Sequence, residues 1–532
     1  MKVFVLVLLT ITCLLLLASR SPVNCGKILF IMLGSLYSHQ APYRGLLQTL
    51  LKRGHEVVGV TSIPMNDTST ANLTEIDMNV IHDIAKKVGK DVLLNYHTLT
   101  PYQKSKNLFR LTNMVTELFY NHPEIKNLYA TGSDAKFDLV IVESITGFST
   151  YALVYKLKAP VIGMQTVDTH MYHNYLLGLP ILTSHPSNWE FVDHPGTKFS
   201  FWDKVWNFIM EWATILEFFN SIHVQQQLVE SLVGSDVPPL YDLAKNMSLL
   251  MIEYDPLIGY PKPLLPNIIS FTGFHIEEKP PALSTELSEF LGNATDGFIY
   301  MSLGCHMKSS FLPPSTVRAI YNVFSRLPYK VLWKYEIDDI PKRNGNILIS
   351  DWLPQQSVLA HPNIKLFVFQ GGQQSMEEVI HYSVPIVGIP FIFEQPYHVR
   401  KLESLGVGRF LNHKDINEEI FYEAIHDVLS NESYKTNMAE LSRLMKDKPY
   451  DSKEHAVWWI EYVMRNKGAP HLRFTGADEP WYSRFDMDVI AFLSIVFFVL
   501  ILIWITVLVL SIRWLYRHQY RLSCIIKKLK RE

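Results

Sequence analysis

Short apolar runs without period-two polarity alternate with stretches of helical spacing along most of this chain. "KILFIMLGS" (27–35) predicts a buried strand, "PYRGLLQTLLKRG" a helix closed by Gly54, and "HEVVGVTS" the next strand. The order recurs in "DLVIVES" (138–144), a helix through "TYALVYKLK", and "PVIGMQ" (160–165). Strands that are apolar on both faces belong in parallel sheets covered by helices, so the pattern predicts a doubly wound α/β fold.

From about 170 to 260 the pattern turns helical and aromatic. In "FSFWDKVWNFIMEWATILEFFNS" (199–221), Phe201, Val205, Phe208, Ile209, Trp212, Leu216 and Phe219 share one helical face, widened by Trp202 and Trp206. Such a face suits packing within a lobe, the wall of a lipophilic pocket, or an interfacial membrane contact. The prolines of "YPKPLLPN" (260–267) and "EEKPPALS" (277–284) then mark a boundary. A second α/β run follows, with strands "GFIYMSLG", "KVLWKYE", "NILISDW", "KLFVFQ" and "PIVGIP" and helices "PSTVRAIYNVFSRL" and "VRKLESLG". Two such halves joined by a linker leave a cleft where the carboxyl ends of both sheets face one ligand.

The ends differ from the body. Met1-Lys2 leads into "VFVLVLLTITCLLLLA", too short for a confident span and followed by small and polar residues, which reads as a secretory signal peptide cleaved between Ala18 and Cys25. Val489 to Ile512 is 24 residues without a charge, enough to cross a bilayer with some tilt. The tail beyond it carries Arg513, Arg517, Arg521, Lys527, Lys528, Lys530 and Arg531 against one acid, Glu532, so the positive-inside rule puts the tail in the cytosol and the body in the lumen. Sequons at Asn66, Asn72, Asn246, Asn293 and Asn431 all precede the span. Lys528 and Lys530, five and three places from the end, resemble a dilysine retrieval signal for the endoplasmic reticulum; the other reading is a basic stop-transfer flank.

The expected organisation is a signal peptide at 1–25, a first lobe at 26–265, a linker at 266–284, a second lobe at 285–466, a juxtamembrane segment at 467–488, the span at 489–512 and the tail at 513–532. Net charge is −2, which marks no nucleic-acid partner. Of the four cysteines, Cys13 lies in the signal and Cys524 in the tail, leaving Cys25 and Cys305 and no disulfide framework. "HMYH" (170–173) lacks the further ligands a metal site needs, and no metal motif is found.

Candidate chemistry gathers in the second half. In "LFVFQGGQQSMEE" (366–378) an apolar strand stops at Gln370 and meets Gly371 and Gly372 before a helix, an arrangement that aims free backbone N–H groups at an anion. Other polar residues stand at strand ends: Ser302 and Gly304, then Asp351, Trp352 and Gln355, then Ser375 and Glu378, then Glu394 and Gln395.

The order and spacing of "SLG", "WLPQ", "GGxxSxxE", "VPIVGIP" and "EQ" resemble the membrane-bound UDP-glycosyltransferases of the UDP-glucuronosyl/UDP-glucosyl type, insect members above all, from about residue 26 through the tail. The resemblance implies a GT-B fold, two Rossmann-like domains with the acceptor in the first and the UDP-sugar in the second. It implies that Trp352 stacks on uracil, that Gln355 orients the nucleoside, and that Glu378 accepts from the ribose hydroxyls. Ser302, Gly304, Ser375 and the Gly371/Gly372 backbone would surround the diphosphate, Lys262 would reach it, and Glu394 and Gln395 would touch the sugar. "GSLYSHQAPYRGLL" resembles the family's catalytic segment and puts His39, as general base, in the loop between the first strand and helix, with Glu143 as the carboxylate that orients it. The reaction implied is one inverting displacement from a UDP-sugar co-substrate, glucose rather than glucuronate, to a hydroxyl of a small lipophilic acceptor, with no further cofactor. A role in detoxification fits the same resemblance, while the oligomeric state, a homo-oligomer among the options, is left open.

Several positions depart from the family pattern. Gln370 stands where histidine is usual, Cys305 for serine or threonine, Ser383 for glycine, Glu394 and Glu143 for aspartate, His398 for asparagine and Lys262 for arginine. Gln370 can donate one N–H but cannot be cationic, and Glu394 extends its carboxylate by about 1.5 Å, one C–C bond. Two readings follow: an active transferase with altered donor geometry, or a transferase-like membrane protein that binds lipophilic molecules or partners without efficient catalysis.

Overall fold

The computed structural model describes residues 25–66, 70–87, 90–145, 147–183, 189–190, 199–336 and 343–530. Apart from Cys25, the signal-peptide segment lies outside the described residues.

The strands expected in the first half form β1 (Lys27–Met32), β2 (Glu56–Thr61), β4 (Leu139–Glu143) and β5 (Val161–Gln165). Three more complete a seven-stranded parallel sheet: β3 (Leu73–Asp77), β6 (Leu249–Glu253) and β7 (Ile268–Phe271), in the order β3-β2-β1-β4-β5-β6-β7. The chain winds outward in both directions from β1, so a crevice opens beyond the carboxyl ends of β1 and β4. β6 falls in the stretch expected to be helical. Its five residues are all buried, and a short apolar run does not by its periodicity distinguish strand from helix.

The second sheet runs β10-β11-β9-β8-β12-β13-β14. β8 (Phe298–Ser302), β9 (Lys330–Lys334), β11 (Ile347–Ser350), β12 (Ile364–Phe369) and β13 (Ile386–Gly388) are the five expected strands. β10 (Arg343–Asn344), antiparallel to β11, and β14 (Gly408–Phe410) extend the two edges.

The structure divides the lobes differently from the sequence. The expected linker, 266–284, carries β7 of the first sheet. The helix Ser452–Asn466, assigned by sequence to the second lobe, buries Ala456, Val457, Ile460 and Val463 against Ile28, Phe30, Leu139 and Phe271 of the first. Arg53 reinforces that return through Glu454 and, at 3.1 Å, Glu461. Periodicity identifies an apolar helix face but not the sheet it covers.

The helix Phe201–Leu232 is oriented opposite to its apolar stripe. Phe201, Trp202, Trp206, Phe208, Ile209 and Leu216 are exposed, while Asn207, Glu211 and Thr214 are buried with Ile215, Phe218 and Ile222.

Residues 474–532 form a separate compact unit. Within it the helix Met487–Leu529 is long and apolar enough to cross a membrane by length and composition. The expected span, 489–512, lies inside this helix, which does not stop at Ile512 because residues 513–530 contain neither proline nor glycine.

Candidate functional site

A cleft of about 1540 Å³ is lined by both lobes. His39 enters it from the first, and Ser302, Gly304, Trp352, Gln355, Gln370, Gly372, Ser375, Glu378, Glu394 and Gln395 from the second. Three of the sequence candidates, Glu143, Lys262 and Gly371, do not line it.

His39 is not in a loop. The helix begins at Tyr37, so His39 is its third residue. Pro42, which marks a helix start by the usual rule, instead lies inside the helix. The His39 Nδ1 is 2.6 Å from Thr166 Oγ1, just past β5. Burial, then the neighbouring His306 and His170, lower the imidazole to about 4.

The expected His39–Glu143 pair is not formed through this nitrogen. Glu143, at the end of β4, accepts from the backbone N–H of Gly34 and interacts with Leu33 and the Tyr43 hydroxyl. Burial raises its carboxyl to about 7 against those hydrogen bonds. The approach needs glycine, since a Cβ on Gly34 would lie 2.3 Å from Glu143 Oε1. The longer glutamate reaches the turn after β1, and the backbone N–H groups there take the carboxylate.

In the second lobe the Trp352 ring is 57% exposed, edge-on to Tyr37 with centroids 5.7 Å apart. Gln355 Nε2 donates to Ser375 Oγ at 2.8 Å and to Glu378 Oε2 at 2.6 Å. Burial raises the Glu378 carboxyl to about 7. Gly372 caps the helix Gln373–His381, whose N-terminus opens on the cleft. Gly371, at φ 92°, sits behind the wall, where a Cβ would lie 2.5 Å from Val399 Cγ2. The Gln370 amide packs against Gly304, and its buried Oε1 has no hydrogen-bond partner among the described residues.

Gln395 turns its Oε1 back to accept from the N–H groups of Phe391 and Ile392, at 3.0 and 3.1 Å. Glu394 is buried, which raises its carboxyl to about 7, and follows Phe393 held at φ 53°. Backbone strain of this kind collects where a side chain must be aimed. Lys262, expected at the phosphates, is bound to Asp168 Oδ1 at 2.6 Å and Thr169 Oγ1 at 2.9 Å and lines a separate small cavity. A partly buried carboxylate within reach holds the ammonium there.

The structure adds groups that sequence reading missed. Lys334, at the end of β9, donates to Gly304 O at 3.1 Å and Glu336 at 2.9 Å, and its Nζ is 6.0 Å from the Trp352 ring centre. It supplies a cation to the cleft; "KVLWKYE" carried only a strand signal. Thr166 and His306 had no signal because their roles depend on neighbours from distant strands and loops. Glu253, His275 and Glu377 form a buried cluster in the seam between the lobes, 124 residues apart in sequence from first to last.

Residues 26–522 match the family model described as UDP-glucoronosyl and UDP-glucosyl transferase. The chain belongs to this family. The protein is therefore a UDP-dependent hexosyltransferase, with a UDP-sugar as donor. UDP-glycosyltransferase UGT5 of Dactylopius coccus is 34% identical over 385 residues, covering 72% of this chain and 73% of its own. UDP-glucosyltransferase 2 of the same insect is 31% identical over 466 residues, covering 85% and 86%. The solved glycosyltransferase of kitacinnamycin has a TM-score of 0.58 at 15% identity, covering 83% of this chain and 100% of its own, and the likeness places the transferase in the GT-B fold.

Proposed function

We propose that the transferase moves glucose from UDP-glucose to a hydroxyl of a small lipophilic acceptor by a single inverting displacement. The observation that carries this reading is the shared cleft, with His39 from one lobe facing Trp352, the helix at Gly372 and Glu394 from the other. His39 is the general base. With its proton on Nδ1 directed at Thr166, the other ring nitrogen keeps its lone pair and takes the acceptor's proton. The acceptor oxygen bonds to the anomeric carbon as the bond from that carbon to the UDP oxygen breaks. UDP leaves with its electron pair, its charge met by the N–H groups at Gly372 and by Lys334.

Trp352 and Tyr37 offer an aromatic platform for uracil, the Gln355–Glu378 pair meets the ribose, and Ser302 and Ser375 flank the phosphates. Glu394 and Gln395 meet the sugar. Gln370 donates its N–H in place of an imidazole.

The protein is expected in the endoplasmic reticulum membrane as a single-pass chain with its body in the lumen. The exposed asparagines of all five sequons and the apolar helix Met487–Leu529 support this. The outward aromatic face of the helix Phe201–Leu232 gives it a second contact with the bilayer.

The test is transfer by the purified full-length protein, offered UDP-glucose or UDP-glucuronate with a panel of lipophilic alcohols and phenols. A glucoside of inverted anomeric configuration is expected. UDP binding without product from any acceptor supports the reading of binding without efficient catalysis instead.

A further inference from the structure

Glu253 ends β6 in the first lobe, His275 lies in the segment that leaves the first sheet, and Glu377 lies on the helix Gln373–His381 of the second lobe. All three are at least nine-tenths buried, at 1%, 8% and 1% exposure. His275 Nδ1 is 3.9 Å from both Glu253 Oε1 and Glu377 Oε2, and one ligand atom from each residue lies within 4.8 Å of the others.

The hydrogen bonds around the cluster fix what meets at its centre. His275 Nε2 is 3.1 Å from the carbonyl oxygen of Gln374, which can only accept, so the proton is on Nε2 and Nδ1 presents a lone pair. The outer oxygen of Glu253 is held by Gln374 Nε2 at 2.8 Å. Glu377 accepts from the Gly273 N–H at 2.6 Å and Gln373 Nε2 at 3.1 Å. Among the described residues, Glu253 Oε1 and His275 Nδ1 have no hydrogen-bond partner. Three acceptor atoms thus converge, and of these only Glu377 Oε2 already takes a donor, the Gly273 N–H. A proton on Glu253 Oε1 serves one neighbour at a time, whereas a divalent cation engages all three ligand atoms at once.

We propose that this cluster binds a divalent first-row transition cation of the zinc or manganese type, which pins the two lobes to the connecting segment. The donor set of two carboxylates and one imidazole suits such a cation, and the imidazole has the backbone carbonyl on its far nitrogen that orients metal-binding histidines. Bonds of about 2.0–2.2 Å to a tetrahedral centre put ligand atoms roughly 3.4 Å apart, so His275 Nδ1 and each carboxylate close by about 0.5 Å on binding. The function is structural, at the seam rather than at the reacting atoms, and it does not rest on which sugar or acceptor the transferase uses.

The test is the metal content of the purified full-length protein, incubated separately with zinc and with manganese, then dialysed against metal-free buffer. About one equivalent of one of the two is expected in the wild type, and less than a fifth of that in Glu253→Gln and Glu377→Gln. Chelator should lower the thermal midpoint of the wild type and leave that of Glu253→Gln unchanged. No retained metal in the wild type, or equal retention in wild type and both variants, overturns the proposal. Should either variant fail to fold, the chelator response of the wild type decides: an unchanged midpoint also overturns it.

Discussion

The Nδ1 of His39 stands 2.6 Å from the Oγ1 of Thr166, while Glu143 serves the backbone of Gly34. The proposed base is thus oriented by a hydroxyl, and the carboxylate supports the turn after β1. A hydroxyl fixes a tautomer as well as a carboxylate does, but it stabilises a forming imidazolium less.

His39→Ala should therefore lower kcat by about 10²–10⁴-fold with UDP affinity unchanged. Thr166→Val should lower kcat by roughly tenfold, in line with the loss of one hydrogen bond to a group that becomes charged. Glu143→Gln should act mainly on thermal stability. Steady-state kinetics on the three variants check this, and a Glu143→Gln loss equal to that of His39→Ala would restore the carboxylate to the catalytic pair.

Activity should persist to unusually low pH. An ordinary histidine base loses its lone pair below about pH 6.5, whereas burial beside His306 and His170 holds His39 to about 4. The acid limb of kcat/KM should accordingly lie near pH 4, and His306→Ala should move it upward by removing a like charge. A profile for the wild type that breaks at 6.5 would show that His39 is solvated when it works.

Stability should depend on His398 in the same range. Burial lowers this imidazole to about 4, although Nδ1 is 3.0 Å from the carbonyl of Gly371. The unfolded chain, with its histidine near 6.5, binds the proton more readily, so stability is full above 6.5 and falls as pH drops toward 4. At pH 4 the loss is about 3 kcal/mol. His398→Asn, which keeps the short polar side chain but cannot titrate, should make the fall of the thermal midpoint between pH 6.5 and 4 shallower. An unchanged pH dependence would assign acid sensitivity to other groups.

Much of this site was legible because its residues sit at strand ends whose apolar runs are unmistakable. β8, β12 and β13 are almost wholly buried, and the end of β8 and the turns after β12 and β13 carry Ser302, Gln370 and Glu394 into one cleft. What the sequence hid depends on neighbours far along the chain. Lys262 has a charge that suits phosphate, but Asp168 lies 2.6 Å away. The helix Phe201–Leu232 shows an apolar stripe, but packing put Asn207 and Glu211 inside and the aromatic face outside. Glu253 and Glu377 carried no signal at all until two lobes brought them together.

The donor half should respond to restoring the family's residues. Trp352→Ala should weaken UDP binding by about 5- to 150-fold, as for loss of 1–3 kcal/mol of stacking. Gln370→His with Glu394→Asp should raise kcat on UDP-glucose, because Gln370 leaves a buried Oε1 unpaired and Glu394 is one methylene longer than aspartate. Isothermal titration with UDP and product assays check the two parts separately. Undiminished UDP affinity in Trp352→Ala would remove the ring from the nucleoside site.

Ser383 offers a test independent of chemistry. Its N–H bonds the carbonyl of Ile380 at 3.1 Å and that of Val384 bonds Val379 at 2.8 Å, the paired bonds that end a helix through one left-handed residue. Ser383 is that residue, at φ 57°, a conformation that costs a side chain about 1–2 kcal/mol and glycine almost nothing. Glycine gives back roughly 0.5–1 kcal/mol through the greater freedom of the unfolded chain. Ser383→Gly should therefore gain about 0.5–1 kcal/mol, seen as a higher denaturant midpoint at unchanged slope. Ser383→Ala keeps the Cβ and should gain nothing. If alanine stabilises as much as glycine, the benefit comes from removing the hydroxyl and the left-handed turn carries no strain.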